Sequence, residues 1–274
     1  MKTTPKTKLG TTLASALALA SAFALVASPA HAVTYWSTGN DGSSLINFNT
    51  VTAATTVIGN FTTTQTYGLA FAPDGSAYTM QGSNATLAKI NLANATLTTI
   101  GGPGGFFGYA LDFANDGTLY AVNVNNNQID TINTTTGAFT LVQTMSGPAS
   151  SIMDITFDTT GKLYGVGPSN NSVYLINPVT GVSTLAYTTA LSGLMGIAAD
   201  GAGNLIATSY SSPSQFEVIN IGTGASAIVG TIGGGTFNDH GGDIILVPEP
   251  SALASLALGA FSLLGLRRSR SAAV

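Results

Sequence analysis

The stretch LDFANDGTLYAVNVNNNQIDTINTTTGAFTLVQT, residues 111–144, holds four short runs of apolar and β-branched residues with a turn between each pair. Residues 111–114 lead into Asp116-Gly117, residues 119–122 into Asn125-Asn126-Asn127, and residues 128–133 into Thr136-Gly137, after which residues 138–143 close the unit. Runs of this length and composition read as strands, and Asp-Gly or Asn-rich dipeptides between them read as tight turns. Glycine reaches positive φ at little cost, while Asp, Asn and Thr side chains accept from the turn backbone. One such unit predicts one small antiparallel sheet of strands A, B, C and D.

The unit recurs along the chain. The dipeptide Ile-Asn stands at Ile46-Asn47, Ile90-Asn91, Ile132-Asn133, Ile176-Asn177 and Ile219-Asn220, in steps of 44, 42, 44 and 43. A second marker gives Phe71/Gly75, Phe113/Gly117, Phe157/Gly161 and the weaker Ala199/Gly203. A period near 43 with four strands per copy is the mark of propeller blades. Five periods of 43 fill the 215 residues from 33 to 247. The two ends are complementary: Tyr35-Trp36 matches Tyr78, Tyr120 and Tyr164 of strand B, and Asp243-Ile244-Ile245-Leu246 matches strand A at Asp154-Ile155-Thr156-Phe157. The expected domain is an all-β, five-bladed β-propeller of four-stranded blades whose C-terminal strand completes the first blade, a closure that removes open sheet edges. An open solenoid is the alternative, but it leaves the split blade unpaired and normally carries caps. The repeat resembles bacterial propellers with a Phe-x-x-x-Gly-x-Leu-Tyr blade signature, a pattern shared by many functions.

The ends predict export. Lys2, Lys6 and Lys8 precede an apolar stretch over residues 13–26 and the small-x-small site Ala30-His31-Ala32, so residues 1–32 read as a signal peptide forming a helix before cleavage. At the other end, Val247-Pro248-Glu249-Pro250 is followed by an uncharged run over residues 251–266 and then Arg267, Arg268 and Arg270. Prolines end the preceding strand, and a helix over the run reaches roughly 24 Å, short of a typical bilayer core. The arginines fix that end in the cytoplasm. Motif, apolar run and arginine cluster together resemble the PEP-CTERM sorting signal of bacteria that export exopolysaccharide. The resemblance implies that residues 248–274 are a sorting signal with a transmembrane helix. It implies an exosortase-type transpeptidase as partner, cleavage near Pro248-Glu249-Pro250, and a product first anchored in the membrane and then at the cell surface or outside.

Composition narrows the chemistry. Residues 33–247 carry eleven acidic residues against Lys89 and Lys162, a net charge of −9 that repels phosphate backbones and excludes nucleic acid as a natural partner. The absence of cysteine excludes disulfides, thiol nucleophiles and a lipoprotein anchor. No metal-ligand spacing or cofactor motif stands out, and no cofactor is expected. His240 is the one histidine of residues 33–247 and Glu217 the one glutamate. A glycosidase or lactonase site needs several acidic groups converging on the channel, and only Asp112, Asp154 and Asp243 lie on inner strands. Asp112 stands one residue before the strand A aromatic and Asp154 three, so they occupy different levels and read as hydrogen-bonded spacers. His240 beside Asp239 has neither a serine elbow nor ligand spacing.

The A to B and C to D turns are short, uniform and assigned no function. The D to A connections vary and carry aromatics, so Tyr67, Phe106, Phe107, Phe237 and His240 form the candidate ligand face, where rings among Asn, Thr and Gly suit sugar faces. The alternative is that these rings cap gaps between blades. The expected function is non-catalytic binding or adhesion, with extracellular polysaccharide the expected ligand class. The rivals are a carbohydrate- or lactone-acting enzyme and a purely structural matrix protein.

Overall fold

The computed structural model describes residues 32–39, 42–62, 65–82, 86–102, 108–169, 171–211, 213–235 and 239–245, with the side chains of 108–109, 234–235 and 239–240 excepted. The expected signal helix and transmembrane helix lie outside the described residues. Blade 1 contains β1 (Thr34–Gly39), β2 (Ser44–Asn49) and β3 (Thr55–Asn60). Blade 2 contains β4 (Thr66–Phe71), β5 (Ala77–Gln81), β6 (Thr86–Ile90) and β7 (Leu97–Gly101). Blade 3 is β8 (Gly108–Phe113), β9 (Leu119–Asn123), β10 (Gln128–Ile132) and β11 (Phe139–Thr144). Blade 4 is β12 (Asp154–Phe157), β13 (Leu163–Val166), β14 (Ser172–Ile176) and β15 (Ser183–Thr188). Blade 5 is β16 (Leu194–Ala199), β17 (Asn204–Ser209), β18 (Gln215–Asn220) and β19 (Ser226–Thr231). A 3-10 turn over Ile232–Gly235 then leads to β20 (Asp239–Ile244), which pairs with β1 and completes blade 1. The described residues therefore form five four-stranded antiparallel sheets, a five-bladed β-propeller closed by its last strand.

Burial falls from the axis outward, and composition follows it. The inner strands β4, β8, β12, β16 and β20 pack one against the next until β20 meets β4. Every residue of β4, β12 and β16 is buried, and the polar ones among them, Thr66, Asp154 and Thr156, are hydrogen-bonded. The outer strands, such as β11 with its pattern of exposed Thr and Val, keep only their ends partly covered. Between the blades lie five apolar clusters, one per seam. Across three seams a strand B ring of one blade meets the strand A phenylalanine of the next: Trp36 with Phe71 at 6.3 Å, Tyr78 with Phe113 at 5.5 Å and Tyr120 with Phe157 at 5.2 Å. The aromatic markers of the repeat are thus seam residues.

The turn chemistry accounts for the other marker. Asn91, Asn133, Asn177 and Asn220 open the C to D turns, their side-chain oxygens accepting backbone N–H groups two or three residues ahead. In blade 1 that role falls to Asn49, which accepts from Val51 and Thr52, so the first copy of the marker is Phe48-Asn49 and not Ile46-Asn47. A two-residue shift keeps Ile46 on its buried face, which is why the sequence pattern conceals it. In the A to B turns, Gly75, Gly117, Gly161 and Gly203 take φ of 81° to 95°. The last strand also differs from expectation. β20 starts at Asp239, and Asp243 pairs with Trp36 where Thr156 pairs with Tyr164. Asp243 is therefore equivalent to Thr156 and Asp112, not to Asp154. His240 consequently lies within β20 rather than in a loop.

Candidate functional site

One level of the axis is lined by Ala70, Asp112, Thr156, Ala198 and Asp243, the inner-strand residues opposite Tyr78, Tyr120, Tyr164, Ile206 and Trp36. The residue after each turns its N–H toward the axis, where its own sheet offers no partner. All five N–H groups find a side-chain acceptor. Asp243 accepts from Phe71 at 2.8 Å and from Ile244 at 2.7 Å. Asp112 accepts from Phe113 at 2.7 Å and from Phe157 at 2.6 Å. The Thr156 hydroxyl accepts from Ala199 at 3.0 Å. Where a blade presents alanine, the next blade's aspartate takes two donors. Two carboxylates and one hydroxyl thus accept an inward N–H from every inner strand and bridge three of the five seams, satisfying an edge that would otherwise be costly to bury.

Asp154 stands two residues earlier in register, as expected from the sequence, and is fully buried. Its Oδ2 accepts from Ile197 at 2.9 Å and from Gly242 at 3.2 Å, so it reaches across the axis to β20. The channel is narrow there: a Cβ on Gly241, whose φ is +100°, would lie 3.2 Å from both the Asp154 carboxyl and the Gly68 Cα.

Above Asp112 and Asp243 the channel widens into a cavity of about 470 Å³ that opens on the A to B turns. Phe71, Phe113, Phe157, Ala199 and Ile244 wall it, and Asp74 and Asn115 stand in its lining at the turns. Asn115 also donates to the backbone oxygens of Asp158 and Thr159, joining two turns of the rim. Burial pushes the Asp243 carboxyl up to about 7. Burial first, and the nearby Asp243 charge second, push Asp112 well above the ordinary carboxylate range. The arrangement provides a fixed acidic floor under an apolar, aromatic wall.

The structure places the sequence-expected residues unevenly. Tyr67 lies in β4, buried in the seam between blades 2 and 3, and its hydroxyl donates to Gln65 at 2.6 Å. Phe106, Phe107 and Phe237 lie outside the described residues, as do Ala30, Val247, Pro248, Glu249, Pro250, Arg267, Arg268 and Arg270; Ala32 is exposed ahead of β1. For His240 the backbone alone is described. Glu217, on a C strand away from the axis, is fully buried and accepts from Ala190 at 3.1 Å, holding the connection into blade 5; burial raises its pKa. The cavity sits on the uniform-turn face, to which sequence reasoning assigned nothing. Aligning Asp243 with Asp112 through Trp36 and Tyr120 was the signal that would have shown two carboxylates at one level.

No protein-family model matches the chain, and no curated protein matches its sequence. Among solved structures, a chain of a nidogen/laminin complex matches with a TM-score of 0.55 at 14% identity, over 78% of this chain and 98% of that one. A protein of unknown function from Bacteroides thetaiotaomicron matches with a TM-score of 0.53 at 14% identity, over 72% of this chain and 58% of that one. Virginiamycin B lyase from Staphylococcus aureus matches with a TM-score of 0.46 at 16% identity, over 71% of this chain and 65% of that one. At 14% identity, the two likenesses with a TM-score above 0.5 bear on the fold alone.

Proposed function

We propose that this chain is an exported propeller, released by an exosortase-type transpeptidase from a transient anchor and serving at the cell surface or in the polysaccharide matrix as a non-catalytic binding or adhesion module. The observation that carries the non-catalytic reading is the axial ring. Both oxygens of Asp112 and both of Asp243 accept inner-strand N–H groups, so each carboxylate is held in place as part of the scaffold. A paired-carboxylate hydrolase needs one group free to give a proton and another free to direct water or attack. The uncharged outer strands and Asn- and Thr-rich turns offer a surface suited to neutral or cationic sugar polymers, and the net charge of −9 over residues 33–247 disfavours anionic ones. Export rests on the charge flanks of both termini and on the PEP-CTERM resemblance.

A binding screen of residues 33–247 against a glycan array and matrix polysaccharides tests this reading. Saturable retention of one glycan class supports it. Retention of none supports the purely structural rival.

A further inference from the structure

The mouth of the axial channel has a chemistry that adhesion to a polymer does not use. Its volume of about 470 Å³ is that of a small-molecule site, and among the described residues no Lys, Arg or His lines it. Phe71, Phe113 and Phe157 are only 7–8% exposed and are backed by Trp36, Tyr78 and Tyr120, so the aromatic wall exists before any ligand arrives. The floor carboxylates have committed their oxygens to backbone donors, which limits directional hydrogen bonds to a neutral sugar but does not remove the charge they carry when ionised. A cation needs the charge and not a free lone pair, and aromatic rings attract it further. An anionic ligand would meet Asp112, Asp243 and Asp74 with no compensating cation among the described residues. Asp154 narrows the channel one step deeper, and the cavity opens on the turn face.

We propose that this mouth binds an organic monocation, an ammonium group on a small apolar body, with Asp112 and Asp243 as its counter-charge and Phe71, Phe113 and Phe157 as its collar. Of the titratable groups on the five inner strands (Tyr67, Tyr109, Asp112, Asp154, Asp239, His240 and Asp243), only Asp112 and Asp243 line the cavity. Because burial raises both carboxyls, Asp243 to about 7, a bound cation favours their ionised form and its affinity rises with pH.

The test uses the full-length chain in a non-ionic detergent. Its single tryptophan, Trp36, packs edge-on against Phe71 and reports occupancy by fluorescence, with calorimetry alongside. Choline, whose charge does not titrate, is compared with its uncharged carbon counterpart 3,3-dimethylbutan-1-ol. Glucosamine is compared with N-acetylglucosamine, which separates an amino-sugar source from a quaternary headgroup. The expected result is saturable binding of choline about ten-fold tighter than its neutral counterpart, and binding of glucosamine without binding of choline overturns the apolar body of the proposed ligand. Choline affinity should also rise several-fold between about pH 5.5 and 8, a rise that Asp243→Asn flattens. If that variant fails to fold, the wild-type pairs and pH series decide alone. Equal affinity within both pairs, or no saturable binding of any of the four, overturns the proposal. Binding of choline without any matrix polysaccharide would keep this inference and remove the adhesion reading, and the reverse would remove this inference alone.

Discussion

Asp112 and Asp243 show how few side chains hold the axis together. Replacing Asp112 by alanine leaves the buried N–H groups of Phe113 and Phe157 without their acceptor. At about 1–3 kcal/mol per unsatisfied buried donor, Asp112→Ala should lose about 2–6 kcal/mol in denaturant unfolding. A loss under about 1 kcal/mol would mean that water replaces the carboxylate, and the ring would be incidental. The pH dependence follows from the same groups. Asp243 is raised to about 7, and Asp112, Asp130 and Glu217 are raised as well, each chiefly by burial. A carboxyl whose pKa is higher in the folded state binds its proton more tightly there. Its contribution to stability is complete below about pH 4 and is lost as the pH rises toward 7. Asp74 and Asp116 act in the opposite sense, but they lie fully exposed in their turns and are screened. The melting temperature should therefore fall between about pH 4 and 7, less steeply in Asp243→Asn than in the native chain. A melting temperature that climbs over that interval would show that the buried carboxyls titrate as ordinary ones.

At the scale of elements, β20 is the strand on which the rest depends, because it supplies Asp243 to the axis and closes blade 1 against β1. A chain ending at Gly242 loses the Asp243 acceptor and the buried Ile244 together. It should unfold at a markedly lower temperature than one ending at residue 247, whereas equal melting of the two would contradict ring closure. Blade number, strand order and the split first blade were all legible in the sequence, because buried faces, turn glycines and capping asparagines recur at a fixed spacing. Register was less so. A shift by two residues preserves which face is buried, and so Asn47 stood in for Asn49, and Asp243 was aligned with Asp154 instead of Thr156. The axial ring was hidden for a related reason. Its acceptors are Asp, Thr or Ala in different blades, and the compensation, one aspartate taking two donors beside an alanine, is visible only when the five strands stand side by side. The cavity was hidden by that misalignment, which placed its two carboxylates at different levels.

For the molecule as a whole, the described chain leaves the propeller at Ile245, which lines the mouth of the cavity on the uniform-turn face. If a membrane anchor follows, that face starts out toward the membrane. A cysteine at Thr136 or Thr180 on intact cells that retain the anchor should react more slowly with a bulky impermeant label than one at Asn126 or Ser150. All four positions are exposed, so burial does not bias the comparison. Faster labelling at Thr136 would reverse the orientation. Replacing both Pro248 and Pro250 by alanine should leave the protein uncleaved in the membrane fraction, and normal release of that variant would mark the tail as an ordinary anchor. The propeller itself is proposed to hold its ligand without changing it. The most direct measurement is to incubate residues 33–247 with the matrix polysaccharide that retains them and to follow both the bound protein and the polymer's chain length. The account predicts saturable binding with the polymer unchanged in length. Progressive shortening of the polymer, abolished by Asp112→Asn in a variant that still folds, would contradict it and assign the axial carboxylates to catalysis.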